Sequence, residues 1–590
     1  MFCVRPTRVI SHARNGTTRL LAVSRGRADR LFLPHSEGAS VADAPPPSGT
    51  PHAPPPSRRT TGEGFRRFIE RAPESSAGRF FLGAAFVVAA GFVLSRLLGL
   101  VRSVVIAHAF GTDPELAAFW VAVRLPDLVF QLLAGATLSA AFIPTFSRVL
   151  LRSGEDAAWR LASSALNIIA TATLVLAALA YIFAPTIVPL LAPGLGDATG
   201  QQEELRALAI HLTRLMLISP IFFGASGMLT GILNARHHFL APALAPILYN
   251  LGIIVGAAFA DGRVEGLAWG VVGGAAAHLL VQLPALRSTG MRWSPSFDVF
   301  SDGVQEVLRL MGPRVLGLAA SQLNFIAAIF FASFVSDEAI SALNYAFLMM
   351  MMPVGVIGMA ISTAVFPTLA QHGASQDLSA LRMAVSKSLR QILFLAVPAS
   401  AGLIILATPS VRVLLERGAF DVESTDLVVA ALGLYAAGIA AHSAIEILSR
   451  GFYALADTRT PVAIAVAAMV LNLALSAALV APFGLRGLAG AASITAFVEF
   501  GLLLWVLSTR LGGLERRALT RTVGSTLAAT ATLSVIMVLA LVALSAAGVD
   551  GATTLGSLVR IVVAGSLGLV AFGVAGYLAN RDDLRMVARQ

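Results

Sequence analysis

Residues 80–110 read FFLGAAFVVAAGFVLSRLLGLVRSVVIAHAF, an apolar run that holds two arginines, Arg96 and Arg102, well inside it. A helix needs about 20 predominantly apolar residues to cross a bilayer's hydrocarbon core, and this run exceeds that. Similar runs follow at 115–148, 158–192, 203–233, 239–260, 264–287, 303–335, 338–370, 382–411, 424–454, 460–481, 485–508, 520–547 and 552–579. The expected fold class is therefore an all-α polytopic membrane protein of about 14 transmembrane helices. Composition agrees: 56% of the 590 residues are hydrophobic and 13% charged, about half the charged share of a soluble domain.

The formal charge of +10 comes almost wholly from arginine, since Lys387 is the single lysine. Arginines gather in alternate short loops, at Arg148 and Arg152, Arg236, Arg287 and Arg292, Arg382 with Lys387, Arg459, Arg510, Arg516 and Arg517, and Arg581, Arg585 and Arg589. The intervening loops hold little more than Arg263, Arg417 and Arg486. By the positive-inside rule the N- and C-termini are expected in the cytoplasm. This pattern belongs to membrane loops and argues against nucleic acid as a partner. Cys3 is the one cysteine, which excludes an internal disulfide and a thiolate cluster.

Residues 1–78 are rich in Arg, Pro, Ser and Gly without apolar periodicity, and are expected to be a disordered cytoplasmic tail. Within it, Phe65, Phe68 and Ile69 among Arg66, Arg67 and Arg71 suit either a short helix on anionic headgroups or a solvated linker. Residues 580–590 form a second tail. The loops are too short for an extramembrane catalytic domain, so a transporter is expected and not an enzyme.

An internal repeat organises the spans. Arg96-Leu97-Leu98-Gly99-Leu100 returns as Arg314-Val315-Leu316-Gly317-Leu318, Phe142-Ile143-Pro144-Thr145 as Val365-Phe366-Pro367-Thr368, and Gly231 before Pro242 as Gly451 before Pro461. Such ordered matches at one spacing mark a duplicated unit. The expected organisation is a six-helix lobe over 79–290, a second over 303–508, and two additional helices over 520–579. Each repeat has an even number of spans, so the halves are related by an axis along the membrane normal, with the substrate path between them.

Charge inside a span costs at least about 2.5–3.5 kcal/mol on insertion scales, so intramembrane arginines are candidates for function. Arg96, Arg102, Arg124 and Arg314 are the candidate substrate-binding residues of an anion-attracting cavity; snorkelling is the alternative for Arg314, as for Arg214, because both lie nearer span ends. Among the carboxylates, Asp127 is expected to pair with Arg124 at the bend made by Pro126. Glu446 and Glu499 are candidate ion or proton sites, or buried carboxylates hydrogen-bonded between helices. His211, His278 and His442 lack ligand spacing, and no metal or other cofactor is expected.

Four stretches carry a family resemblance: SRLLGLVR at 95–102, RLPDLVFQLLAGATLSAAFIPTF at 124–146, GILNARHHFLAPALAPILYN at 231–250 and GFYALADTRTP at 451–461. Together they resemble the MurJ (MviN) lipid II flippase family, within the multidrug/oligosaccharidyl-lipid/polysaccharide exporter superfamily. The resemblance implies a two-lobed bundle of 14 helices with a central cationic cavity. It also implies an undecaprenyl-diphosphate-linked cargo moved to the outer leaflet for cell-wall synthesis. Arg96 and Arg102 match the two arginines of the family's first-helix motif, and Arg124 a basic position before Leu-Pro. The chain departs from the pattern at Ala117, Gln131, Gly135-Ala136 and Phe347-Leu348, where better-known members carry charge.

The function expected is alternating-access transport of a lipid-linked peptidoglycan precursor, coupled to membrane potential or a cation gradient. The alternatives are an exporter of another lipid-linked polysaccharide unit or amphipathic molecule, or a non-transporting scaffold that binds a peptidoglycan synthase.

Overall fold

A computed structural model describes residues 76–133 and 137–579, with side-chain surroundings given for all of these except 76–86, 137–141 and 312–321. The expected tails over 1–75 and 580–590, with the candidate interfacial helix, lie outside the described residues. The helices in chain order are α1 (Ser76–Phe110), α2 (Pro114–Leu133), α3 (Thr137–Leu191), α4 (Gln202–Met216), α5 (Ser219–Ala235), α6 (Leu240–Ala258), α7 (Val264–Leu280), α8 (Leu283–Ser288) and α9 (Asp302–Ala332). They continue as α10 (Asp337–Pro353), a π-helical turn (Val354–Met359), α11 (Ala360–Ala374), α12 (Leu378–Ile405), α13 (Ala407–Leu414), α14 (Val422–Ala437), α15 (Ile439–Ala454), α16 (Arg459–Arg510), α17 (Arg516–Ala546) and α18 (Thr554–Ala579). No strand occurs among the described residues.

Lipid offers no hydrogen-bond partner to the backbone, so each crossing satisfies its own backbone as a helix. Eleven helical stretches among the described residues are long and apolar enough to cross, and α14 with α15 makes one more span, bent by 45°. Two apparent single helices are pairs of rods. Gly154 (φ 81°, ψ −179°) breaks α3 between Arg152 and Glu155, and Gly484 (φ 52°, ψ −131°) breaks α16. Only glycine takes such positive φ without steric cost, which is why each long helix breaks there. With α16 counted as two crossings, and α9, whose 31 residues span about 46 Å, the expected total of 14 is reached. The first span starts at Ser76, slightly inside the stretch assigned to the tail.

Packing follows the small residues. Gly252 and Gly256 of α6 face Gly266, Gly270 and Gly274 of α7 so closely that a Cβ at Gly252 would lie 2.4 Å from the Gly274 Cα. Without a hydrophobic driving force between helices in lipid, such four-residue spacing of glycines supplies close van der Waals contact. The last two helices attach to the second lobe through a separate core, in which Leu533, Met537 and Phe572 pack with Phe394 and Leu406.

Candidate substrate cavity between the lobes

Arg102 projects from α1 and its Nη1 donates to Asn250 Oδ1 of α6 at 3.1 Å. Asn250 is oriented by its own Nδ2, which donates to the Pro246 carbonyl at 3.0 Å. The second lobe repeats the arrangement with neutral groups. Asn324 of α9 and Asn472 of α16 meet at 3.3 Å, and the two pairs have the same separation of 148 residues along the chain. The two pairs share a chain separation, but the repeated Arg-Leu-Leu-Gly-Leu word aligns Arg102 with Ala320, so Asn324 stands near the equivalent place and not at it. The first pair holds a cation and the second is neutral.

Arg124 and Arg96 both reach across to the second lobe. From α2, Arg124 Nη2 donates to Asn344 Oδ1 of α10 at 2.7 Å, and its guanidinium lies 5.3 Å from the centre of the Phe325 ring. Its Nε has no partner among the described residues. The expected local ion pair with Asp127 does not form within 4.0 Å; Asn344 takes the guanidinium instead, while Asp127 stays within electrostatic reach of Arg124 and Arg102. Arg96 is exposed, with its guanidinium 5.3 Å from the Phe92 ring and its Nη2 3.9 Å from Met359 Sδ, at the end of the π-helical turn. Its nearest neighbours include Gly355 of that turn. A π-turn widens the helix by one residue and recurs at functional sites.

Arg314 lies on α9, and its side chain falls outside the described residues. Arg214 stays in the first lobe, where its Nε donates to the Tyr181 carbonyl at 3.3 Å and its guanidinium covers the Tyr181 ring. The sequence reading did not single out Arg450. It lies four residues after Glu446 on α15, pairs with that carboxylate at 3.7 Å, and donates from Nη1 to the Met359 carbonyl at 3.4 Å. Arg96 and Arg450 thus approach Met359 from opposite lobes. The signal was available as an arginine inside a predicted span, one helical turn from a carboxylate.

Beside Arg124, the second lobe holds a cavity of about 240 Å³ lined by Asn324, Asn344, Phe347, Asn472 and Glu499. Glu499 forms no ion pair among the described residues, in contrast to Glu446. Phe347 stands where the family pattern places charge. It meets the Phe325 and Tyr435 rings edge-on at 5.3 and 5.9 Å, and so backs the Phe325 ring on which the Arg124 guanidinium lies. Among the described residues no group of three or more His, Cys, Asp or Glu gathers as a metal site would require.

At one end of the bundle the lobes are joined directly. Thr112 and Ser424 hydroxyls lie 2.9 Å apart, Ala419 N donates to the His108 carbonyl at 2.9 Å, and Tyr345 Oη to the Gly111 carbonyl at 3.2 Å. Gly196 N and the Thr199 hydroxyl both donate to the Asp337 carboxylate.

Asp113 lies in the turn at this end. Partial burial, then the negative Asp421 and Glu338, hold its carboxyl above the usual carboxylate range. The Ser424 backbone N–H holds Asp421 below that range, so Asp421 keeps its charge. A raised carboxyl pKa means that the native state binds the proton more tightly than the unfolded chain. Stability therefore rises as pH falls from the raised value toward the unfolded one, and is lost on returning through the raised value. Asp113→Asn is expected to flatten the melting temperature of purified protein between about pH 4 and 8. An undiminished slope would assign the effect elsewhere.

The family model described as lipid II flippase MurJ matches residues 106–559, most of the chain. The chain belongs to this family. A lipid II flippase MurJ of Burkholderia cenocepacia is 32% identical over 397 residues, covering 66% of this chain and 76% of that protein. A probable lipid II flippase MurJ of Vibrio cholerae is 30% identical over 441 residues, covering 73% and 83%. Among solved structures, a lipid II flippase MurJ in an inward closed conformation superposes with a TM-score of 0.70 at 23% identity, covering 84% of this chain and 99% of that one. An inward-facing multidrug transporter of the MATE family and MOP superfamily follows the same fold at a TM-score of 0.56 and 18% identity, covering 72% and 96%. The MurJ match begins at Ile106, so it includes Arg124 but not Arg96 or Arg102.

Proposed function

We propose that the chain is a flippase that carries lipid II from the inner to the outer leaflet of the bacterial cytoplasmic membrane by alternating access. The observation that carries this reading, together with the family, is the set of cationic side chains where the lobes meet. Arg96 and Arg124 of the first lobe touch α9, α10 and the π-turn of the second, and Arg102 lies on the same helix as Arg96 with a neutral partner only. A diphosphate suits guanidinium groups, which offer paired donors in one plane. A cavity built for cationic drugs would present carboxylates instead. The experiment is rescue: the full chain, expressed in a host depleted of its own flippase, should restore growth and outer-leaflet labelling of lipid II. Growth without outer-leaflet labelling would favour the rival scaffold reading, which rests on Phe347-Leu348 replacing charge and would leave binding of a peptidoglycan synthase as the role.

Orientation follows from charge. Arg152, Arg236, Arg382, Arg459 and Arg516 share the end opposite the joined turns, and by the positive-inside rule this supports a cytoplasmic location for both termini with the joined turns outside. On this reading the lobes are sealed outward, the state that accepts cargo from the inner leaflet. In a Cys3→Ser background, single cysteines at the exposed positions Asp197 and Asp550 should react with an impermeant thiol reagent in intact cells, and those at Ser153 and Gln371 should not. The opposite pattern would invert the topology.

An inside-negative potential favours outward movement of an anion, by about 2.3 kcal/mol per charge per 100 mV. Glu499, which lines the second-lobe cavity without an ion pair, is the carboxylate we assign to cation or proton coupling; Glu446 is already paired with Arg450. Glu499→Gln should leave basal flipping in liposomes intact and abolish its stimulation by an imposed cation or proton gradient. Full stimulation in the variant would remove Glu499 from the mechanism.

A further inference from the structure

We propose that a cavity at the shared end of α12, α16 and α17, away from the lobe interface, holds the phosphate of an anionic phospholipid headgroup. The cavity is an open depression of about 790 Å³ lined by Arg382, the exposed Arg516 and Arg517, and the Gly512-Gly513 turn. None of these three guanidinium groups makes an ion pair among the described residues. The one carboxylate in the lining, Glu515, is engaged by Arg390 at 3.3 Å. The cavity therefore gathers three cations from two helices against one carboxylate that is already paired with Arg390.

The start of α17 sharpens this. It is a 31-residue helix whose N-cap, Glu515, makes no side-chain capping bond, and whose first turn has no acidic residue but opens on Arg516-Arg517. Positive charge at the positive end of a helix dipole is unfavourable. An oxyanion would relieve both the repulsion among the arginines and the uncapped first turn. The floor of the cavity is open: Gly512 and Gly513 take φ of 70° and 97°, and a Cβ at either would meet nothing within 4 Å.

The depth decides the class of ligand. The cavity lies where three membrane-crossing helices end, and so at the level of headgroup phosphates. Along α17 the exposed side chains Leu527, Val535, Val538 and Val542 present an apolar surface on which acyl chains can lie. Arginines near a membrane surface each contribute about 1 kcal/mol toward anionic lipid. The orientation proposed above puts this site in the inner leaflet; binding itself does not depend on that assignment.

The test is native mass spectrometry of the full chain titrated with dioleoylphosphatidylglycerol or dioleoylphosphatidylcholine. The unmodified chain should prefer phosphatidylglycerol, and Arg382→Gln/Arg516→Gln/Arg517→Gln should weaken that binding about tenfold or more while leaving phosphatidylcholine unchanged. The corresponding triple lysine variant should keep most of the preference. Melting in phosphatidylcholine alone guards against misfolding: the glutamine variant should be no less stable there, because it loses charge at an unfavourable position. Equal phosphatidylglycerol affinity in the unmodified and glutamine forms would overturn the proposal. So would displacement of the lipid by millimolar inorganic phosphate, which would make this a free-anion site.

Discussion

Arg102→Ala is expected to reach the membrane in normal amounts and to flip lipid II about 10- to 100-fold more slowly. Two opposing terms set its stability. Truncation removes a cation whose insertion costs about 2.5–3.5 kcal/mol, but leaves Asn250 Oδ1 without its donor, a loss of about 1–3 kcal/mol. They nearly cancel, so folding should be little changed. Transport has no such compensation, because no neutral side chain offers an oxyanion a charge-assisted donor. Arg102→Lys should recover part of the rate, since it keeps the charge but loses the planar fork. The check is flipping per inserted molecule, with membrane levels measured in parallel. Normal flipping by Arg102→Ala would remove the cationic cavity from the mechanism. Failure to accumulate would make Arg102 a structural residue.

Gly111→Val is expected to lower transport about tenfold or more by parting the lobes at their joined end. Gly111 has φ of 53°, and a Cβ there would lie 2.4 Å from the Ala419 carbonyl oxygen. A β-branched side chain suffers twice: its backbone conformation is one that L-residues avoid, and its Cβ occupies space held by the other lobe. The neighbouring contacts, Ala419 N to the His108 carbonyl and Tyr345 Oη to the Gly111 carbonyl, would be lost together. A Thr112→Cys/Ser424→Cys pair in a Cys3→Ser background reports this directly, since the native hydroxyls are 2.9 Å apart. Oxidative cross-linking should be efficient while Gly111 is kept and poor once the Gly111→Val change is added. Equal cross-linking would show that the joined end tolerates the insertion.

Much of the fold was legible because lipid imposes a simple code. Apolar length sets the spans, and the repeated words pointed to a duplicated organisation. Gly154 and Gly484 were less legible as the points where helices reverse, since a glycine is also common within crossing helices, and only the backbone angles separate the two uses. Intramembrane arginines could be picked out from their cost alone, but their partners could not. Arg124 was expected to bind Asp127, one turn away, and binds Asn344 instead, because the opposite lobe supplies a better-placed acceptor. Arg450 escaped notice beside a recognisable loop, although its pairing with Glu446 is local.

On the function proposed above, the chain itself moves lipid II through the arginine-lined interface of its lobes. The measurement that tests it most directly uses purified full-length protein in liposomes with lipid II initially confined to one leaflet. Appearance of the headgroup in the opposite leaflet is followed with a membrane-impermeant label. Rapid equilibration is expected with the native chain and slow equilibration with Arg102→Ala at equal protein density. Transfer at the rate of protein-free liposomes by a correctly folded native chain, or equal rates for the two forms, would contradict it.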